Sequence, residues 1–246
     1  MVTGATSGIG EACARKFAHE GYSVIITGRR EERLDSLKTE LEKDGVSVLP
    51  LCFDVCDRAQ AKKILDSLPD EWQNIDVLIN NAGLARGLEP EYEGDFTDWD
   101  EMIDTNIKGL LNITRYIVPK MVKVNHGHVI NIGSVAGDAA YAGGGVYCAT
   151  KAAVKSISDG LRIDLAHTKI RVTNIKPGLV ETNFSNVRFH GDKQRADNVY
   201  KGIKPLSAED IADTAFYAAS APEHVQIAEV LVLATHQASG SVVYRE

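Results

Sequence analysis

With 246 residues, 44 % of them hydrophobic and 25 % charged, the chain has the composition of a globular protein with an ample core, and no apolar run approaches the length of a membrane span. A formal net charge of −7 disfavours nucleic acid or an anionic membrane as the main partner. The four cysteines, Cys13, Cys52, Cys56 and Cys148, have neither metal-ligand spacing nor the density of a disulfide framework; they read as reduced thiols, and with no signal peptide ahead of the first motif a cytoplasmic protein is expected.

In chain order, Met1-Val2-Thr3 is a strand stub, shorter than the first strand of a sheet normally is. Thr3-Gly4-Ala5-Thr6-Ser7-Gly8-Ile9-Gly10 then opens a helix from Ile9 to about Glu20, with Ala12, Ala14, Phe17 and Ala18 as apolar positions. Tyr22 to Thr27 reads as a buried strand closed by Gly28-Arg29-Arg30, and Glu31 to Lys43 as a helix with Leu34, Leu37 and Leu41 on its inner stripe. A strand at 46–53, a helix at 57–68 and a strand at 75–79 follow. Thr97 is the expected N-cap of a long helix over 98–124, with Pro119 marking a kink or break. Strands at 128–133, 170–175 and 229–234 flank helices at 146–166 and 208–219, the last capped by Ser207. This alternation predicts one α/β domain over residues 1–246. The segment 181–206 is too long and polar for an ordinary connection and reads as a flap over a polar substrate or as a solvated excursion.

Two motifs carry chemistry. The glycines of the first turn let the backbone approach a pyrophosphate, and the N–H groups and positive end of the following helix attract it; the spacing G-x-x-x-G-x-G departs from the commoner G-x-G-x-x-G. Tyr147 and Lys151, at i and i+4 of one helix, share a face, and Ser134 ends the apolar run 128–134. A free phenol titrates near ~10, and lowering it by ~2 units takes roughly 2.7 kcal/mol. A cation at about 4 Å and an effective dielectric of about 20 offers roughly 4 kcal/mol before desolvation, so Lys151 is expected to bring Tyr147 down. A metal pair at His126 and His128 lacks a third ligand at sensible spacing, and a hydrolase role for Ser134 lacks the Gly-x-Ser-x-Gly elbow.

Together with Asn80-Asn81-Ala82-Gly83 after the fourth strand, Asn106 in the long helix and Pro177-Gly178 after the sixth strand, these motifs resemble the short-chain dehydrogenase/reductase family over essentially the whole chain. The segments 89–90, 102–106, 125–128 and 183–189 look like its NADP-dependent 3-hydroxy acid dehydrogenase branch, whose members oxidise serine, allo-threonine and related acids. The resemblance implies a three-layer, doubly wound Rossmann fold around a mostly parallel seven-stranded sheet. It also implies hydride transfer between a secondary alcohol and NADP(H). In that scheme Tyr147 exchanges the alcohol proton, Ser134 holds the same oxygen, Lys151 grips the nicotinamide ribose and Asn106 anchors a water relay. Gly4, Thr6, Ser7, Gly8, Ile9, Gly10, Asp54, Val55, Asn81, Ala82, Gly83, Pro177, Gly178, Val180 and Thr182 would line the cofactor, and relatives assemble as homotetramers on the helices around 98–124 and 146–166.

The corner after the second strand selects the cofactor. It carries no carboxylate to repel a 2′-phosphate, and Arg29 and Arg30 are there to bind one, so NADP is expected. Within 181–206, Arg188 between Val187 and Phe189 has the best case for clamping a substrate carboxylate, against the alternative that it pairs with Asp192; Lys193 and Arg195 look solvated. Short 3-hydroxy acids such as serine, allo-threonine, 3-hydroxypropionate or 3-hydroxybutyrate are therefore the expected substrates. A reductase of other ketones, aldehydes or sugars and a non-catalytic NADP-sensing regulator are the alternatives.

Overall fold

In the computed structural model, which describes residues 1–246, Val24–Gly28 (β1) pairs in parallel with Val48–Cys52 (β2). Val77–Asn80 (β3), His128–Ile132 (β4), Arg171–Pro177 (β5) and Glu229–Val232 (β6) form a second parallel run in that order. Residues 1–3 join the two runs: Val2 bridges Ile26 on one side and Ile79 on the other, Val2 N donating to Ile25 O (2.8 Å) and Ile79 N to Met1 O (2.8 Å). Seven strands were expected and six form. The chain turns at Thr3-Gly4 and Val2 alone pairs with both neighbours, so the seventh position is a bridge. The chain winds outward in both directions from that bridge, and the turn beginning at Gly4 lies at the point where the strand order reverses, the usual ligand crevice of such sheets.

Successive strand residues point to opposite faces, and this alternation builds two cores. Ile26, Ile79 and Ile130 meet helices Gly8–His19 (α1), Glu31–Leu41 (α2) and Ala208–Ser220 (α9) through Phe17, Leu34 and Ile211. Ile25, Leu78 and Val129 meet Arg58–Asp66 (α3) and Leu110–Val124 (α5) through Leu65, Ile113 and Ile117. The capping box of α9 forms as its sequence predicts, Asp210 N donating to Ser207 Oγ (3.3 Å) and Ser207 N to Asp210 Oδ2 (2.8 Å). No helix is long and apolar enough to cross a membrane.

The long middle helix differs from expectation in two ways. Its N-cap is Asp95, whose carboxylate accepts from Thr97 N (2.7 Å) and Asp98 N (3.3 Å), and Thr97 is already inside Phe96–Ile103 (α4). The irregularity is a π-helical turn, Asp104–Gly109, between α4 and α5, while Pro119 is carried within α5. Segment 181–206 holds two short helices, Phe184–Arg188 (α7) and Lys193–Asn198 (α8), and is closed at its base where Val180 bridges Leu206.

His128 opens β4, buried, with Nε2 2.7 Å from Thr173 Oγ1. Thr173 spends its own proton on Ile227 O (2.6 Å), so Nε2 carries the hydrogen and Nδ1 is left buried without a partner. Burial pushes the ring down to about 3. The folded protein thus binds this proton less readily than the unfolded chain, and stability is lost as pH falls from about 6.5 towards 3. At pH 5 the loss relative to pH 7.5 is about 2 kcal/mol from this residue. Urea unfolding at the two pH values should show that gap shrinking by about 2 kcal/mol in His128→Gln, which keeps a donor for Thr173. An unchanged gap would assign the acid sensitivity to other groups.

Candidate active site

The Gly-rich turn is stitched to the segment that follows β3. Asn81 Nδ2 donates to Thr3 O (2.9 Å) and Gly4 O (3.2 Å), while Thr3 Oγ1 accepts from the backbone N–H of Asn81 and Ala82, both at 3.0 Å. A side chain at Gly10 would overlap Gly4 O and Asn81 Nδ2, so only glycine lets α1 start this close beneath the turn. Gly8 faces Thr182, whose hydroxyl accepts from Phe184 N (3.2 Å), and Ile9 packs against the first core. A cleft of about 400 Å³ opens between Gly8 and Thr182 and extends past Pro205 to Glu209. Gly178 lies against Gln237, whose Oε1 accepts from Leu179 N (2.8 Å), and the carbonyl of Val180 accepts from Tyr200 (2.9 Å).

At the basic corner Arg30 folds over the turn, Nη2 donating to Thr6 Oγ1 (2.8 Å), Ser7 Oγ (3.1 Å) and Thr6 O (3.1 Å). Arg29 is 62 % exposed with Nη1 3.5 Å from Asp54 Oδ2, and Asp54 Oδ1 accepts from Cys56 N (2.9 Å). Val55 is buried against Gly109 of the π turn, where an added Cβ would stand 2.7 Å from Val55 Cγ2. The Arg30 guanidinium and two hydroxyls converge at an exposed corner beside a Gly-rich helix start, with Arg29 on the adjoining Asp54. That donor set fits the 2′-phosphate and pyrophosphate of NADP.

The catalytic candidates meet where β4 ends. Ser134 caps the single 3₁₀ turn Val135–Gly137, its Oγ accepting from Ala136 N (3.1 Å) and donating to Pro177 O (3.4 Å). Tyr147 and Lys151 project from Gly145–Asp164 (α6). Lys151 Nζ donates to Ile132 O (2.9 Å) and lies 5.9 Å from the centre of the Tyr147 ring. Asn106, turned inward by the π turn, donates to Leu84 O (2.8 Å) and Thr150 Oγ1 (3.0 Å) and accepts from Leu84 N (2.8 Å); Thr150 in turn donates to Tyr147 O (2.8 Å). Both N–H bonds of the Asn106 amide are therefore committed to holding Leu84 and α6. An ideal Cβ on Gly83 would lie 3.1 Å from Asn106 Oδ1 and 3.6 Å from Lys151 Nζ, which places Gly83 between them.

The expected tuning of Tyr147 by Lys151 is not what these surroundings produce. Burial drives the phenol above its ordinary value, the neighbouring Tyr141 adds to the rise, and the groups pulling it down are the Ser134 hydroxyl and Arg188. Burial also lowers Lys151 to about 8. The ammonium is spent on Ile132 O, and its own desolvation cost offsets the field it was expected to supply.

Arg188 projects from the end of α7 towards this centre. Its Nε donates to Gly87 O (2.9 Å) and its Nη1 to Tyr141 Oη (2.9 Å), its Cζ is 5.7 Å from the centre of the Tyr147 ring, and Nη2 is buried with no partner. Asp192 does not pair with it; that carboxylate caps α8 through Arg195 N (3.0 Å). The loop lies closed on the 86–98 segment through Gly87 N to Arg188 O (2.9 Å), His190 to Asp98 (3.0 Å), Arg195 to Glu89 (3.2 Å) and a bond from Arg86 to Val187 O. Arg195, expected to be solvated, is thus ion-paired, whereas Lys193 is exposed. A small cavity of about 20 Å³ reaches Tyr147 from the 86–102 side, between Arg86, Trp99, Met102 and Gly145, and no residue of the loop lines it. Sequence reasoning missed Tyr141 and Arg86, which belong to no motif; the Gly143-Gly144-Gly145 run before α6 was the one available signal of a crowded backbone there.

Residues 1–193 match the family model for the short chain dehydrogenases, and the chain belongs to that family. It is 50 % identical over 247 residues to the NADP-dependent 3-hydroxy acid dehydrogenase of Salmonella typhi, covering 100 % of this chain and 98 % of the relative. It is 46 % identical to the serine 3-dehydrogenase of Agrobacterium fabrum, with the same coverage. The solved closed form of a serine dehydrogenase complexed with NADP+ superposes with a TM-score of 0.94 at 48 % identity, covering 100 % of this chain and 98 % of that one. The protein is an NADP-dependent dehydrogenase of this family, with NADP as its cofactor.

Proposed function

We propose that the chain reversibly oxidises the carbinol of short 3-hydroxy acids such as serine, allo-threonine, 3-hydroxypropionate or 3-hydroxybutyrate. The observation that carries this reading is the buried, unpartnered Nη2 of Arg188 beside the Tyr147 ring. A buried guanidinium nitrogen without an acceptor is costly, and a substrate carboxylate would satisfy it with a charge-assisted bond. The names of these two relatives agree with that chemistry.

NADP, held by the Gly-rich turn and the Arg29–Arg30 corner, supplies the hydride acceptor when bound. Ser134 holds the substrate oxygen towards Tyr147, whose phenol takes the alcohol proton in oxidation and returns it in reduction. Lys151 and Asn106 fix the height and orientation of α6 beneath that oxygen. The 181–206 loop, held on the 86–98 segment by Arg188, His190 and Arg195, opens to admit substrate and closes to exclude solvent. The apolar side chains Ile103, Leu111 and Ile163, exposed on α4, α5 and α6, support a homotetramer built on these helices, which light scattering would report as four chain masses.

A panel of 3-hydroxy acids, uncharged alcohols, ketones and sugars, read by NADPH absorbance, tests the function. Preference for the acids by at least tenfold in kcat/KM is the expected result. Faster turnover of uncharged ketones or sugars would replace this reading with that of a general carbonyl reductase.

A further inference from the structure

Tyr141 lies between the Val135–Gly137 turn and the start of α6, half-buried, with its ring set directly on Gly144. A Cβ there would stand 2.6 Å from Tyr141 Cζ. The ring is thereby held by the same backbone turn that launches Tyr147 two residues into the helix. Both phenol rings flank one guanidinium, with Arg188 Cζ 5.5 Å from the Tyr141 centroid and 5.7 Å from that of Tyr147.

The bond between Arg188 and Tyr141 has a direction. Arginine only donates, so Tyr141 Oη is the acceptor from Nη1 (2.9 Å), and the phenolic hydrogen is left to point elsewhere. Tyr141 has no acceptor for that hydrogen among the hydrogen bonds of the protein, and Arg188 Nη2 next to it has none either. Burial keeps the phenol protonated by raising it above its ordinary value. Unused donors on neighbouring groups, one of them cationic and beside the catalytic phenol, are what a carboxylate with several lone pairs satisfies at once.

We propose that Tyr141 and Arg188 form one composite carboxylate site, in which Tyr141 donates its phenolic hydrogen to the substrate anion and so determines specificity for 3-hydroxy acids. The proposal rests on the reading of Arg188 given above and adds to it a second binding group. With the carbinol of a 3-hydroxy acid facing Tyr147, the carboxylate two carbons away meets the Arg188 side of the pocket. Nη1 then serves to orient Tyr141, and Nη2 contacts the ligand.

The test compares 3-hydroxypropionate with its methyl ester, which keeps the carbon skeleton and removes the charge. In Tyr141→Phe the ring stays on Gly144 and only the hydroxyl is lost. The ratio of kcat/KM for the acid over the ester should fall about tenfold, expressed in KM for the acid. Arg188→Met, measured in parallel, should lower the same ratio by more. If Arg188→Met lowers it and Tyr141→Phe leaves it unchanged, Tyr141 only props the guanidinium and this proposal fails while the Arg188 reading stands. If neither variant changes the ratio, the carboxylate is bound elsewhere and both fail. A purely structural role for Tyr141 would depress acid and ester together, which would also overturn the proposal.

Discussion

Replacing Tyr147 with Phe should lower turnover by at least about 100-fold while NADPH binding changes little, because the substitution removes one oxygen and nothing else that the site is built on. The ring keeps its edge contact with Phe184, at 5.8 Å between centroids, and its place in the cluster with Leu84, Met102 and Cys148. The hydroxyl contributes little to stability, since burial disfavours its ionised form, so the thermal midpoint should stay within a few degrees of the parent. Activity is then the only large change. The measurement pairs steady-state kcat with a fluorescence titration of NADPH on the purified variant. Turnover within a few-fold of the parent would sink the proton-transfer role of Tyr147, and a parallel collapse of NADPH affinity would mark it as a cofactor-binding group instead.

What the sequence disclosed and what it withheld divide along physical lines. Features set by neighbours within one element were legible: the buried run that forms β1, the Ser207 cap, and the i, i+4 placement of Tyr147 and Lys151. Features set by contacts across the chain were not. The irregularity of the long helix was expected at Pro119, the local signal. It occurs around Asn106 instead, where the π turn satisfies Leu84 and Thr150, 22 and 44 residues away. Lys151 was read as a charge in a medium of moderate polarity, but its burial lowers it to about 8 and ties it to Ile132 O. Arg188 could be singled out by its flanking residues, whereas its partners Gly87 and Tyr141 lie 101 and 47 positions away and emerge only when the loop is closed.

Exchanging Arg29 and Arg30 together for neutral residues should move the preference for NADP over NAD by more than tenfold, because only NADP has a 2′-phosphate to lose. Each charge-assisted hydrogen bond contributes about 1.5–3 kcal/mol where it is sheltered, and exposure at this corner brings the yield towards the lower end. The two arginines are not equivalent. Arg30 is anchored on Thr6 and Ser7, so a phosphate held there would meet a guanidinium and two hydroxyls already assembled. Arg29 has no such anchor on the turn, and Asp54 at 3.5 Å draws on part of its charge. Arg30→Ala alone should therefore account for most of the shift, and Arg29→Ala for the smaller part. Since both side chains are solvent-facing, the NADP preference of the parent should also weaken as ionic strength rises, and the double variant should be nearly insensitive to salt. The quantity to measure is the ratio of kcat/KM for the two cofactors at fixed substrate, at low and high salt. An unchanged ratio in the double variant would mean that the 2′-phosphate is read by other groups, with the backbone N–H groups of the turn after Thr6 the next place to look.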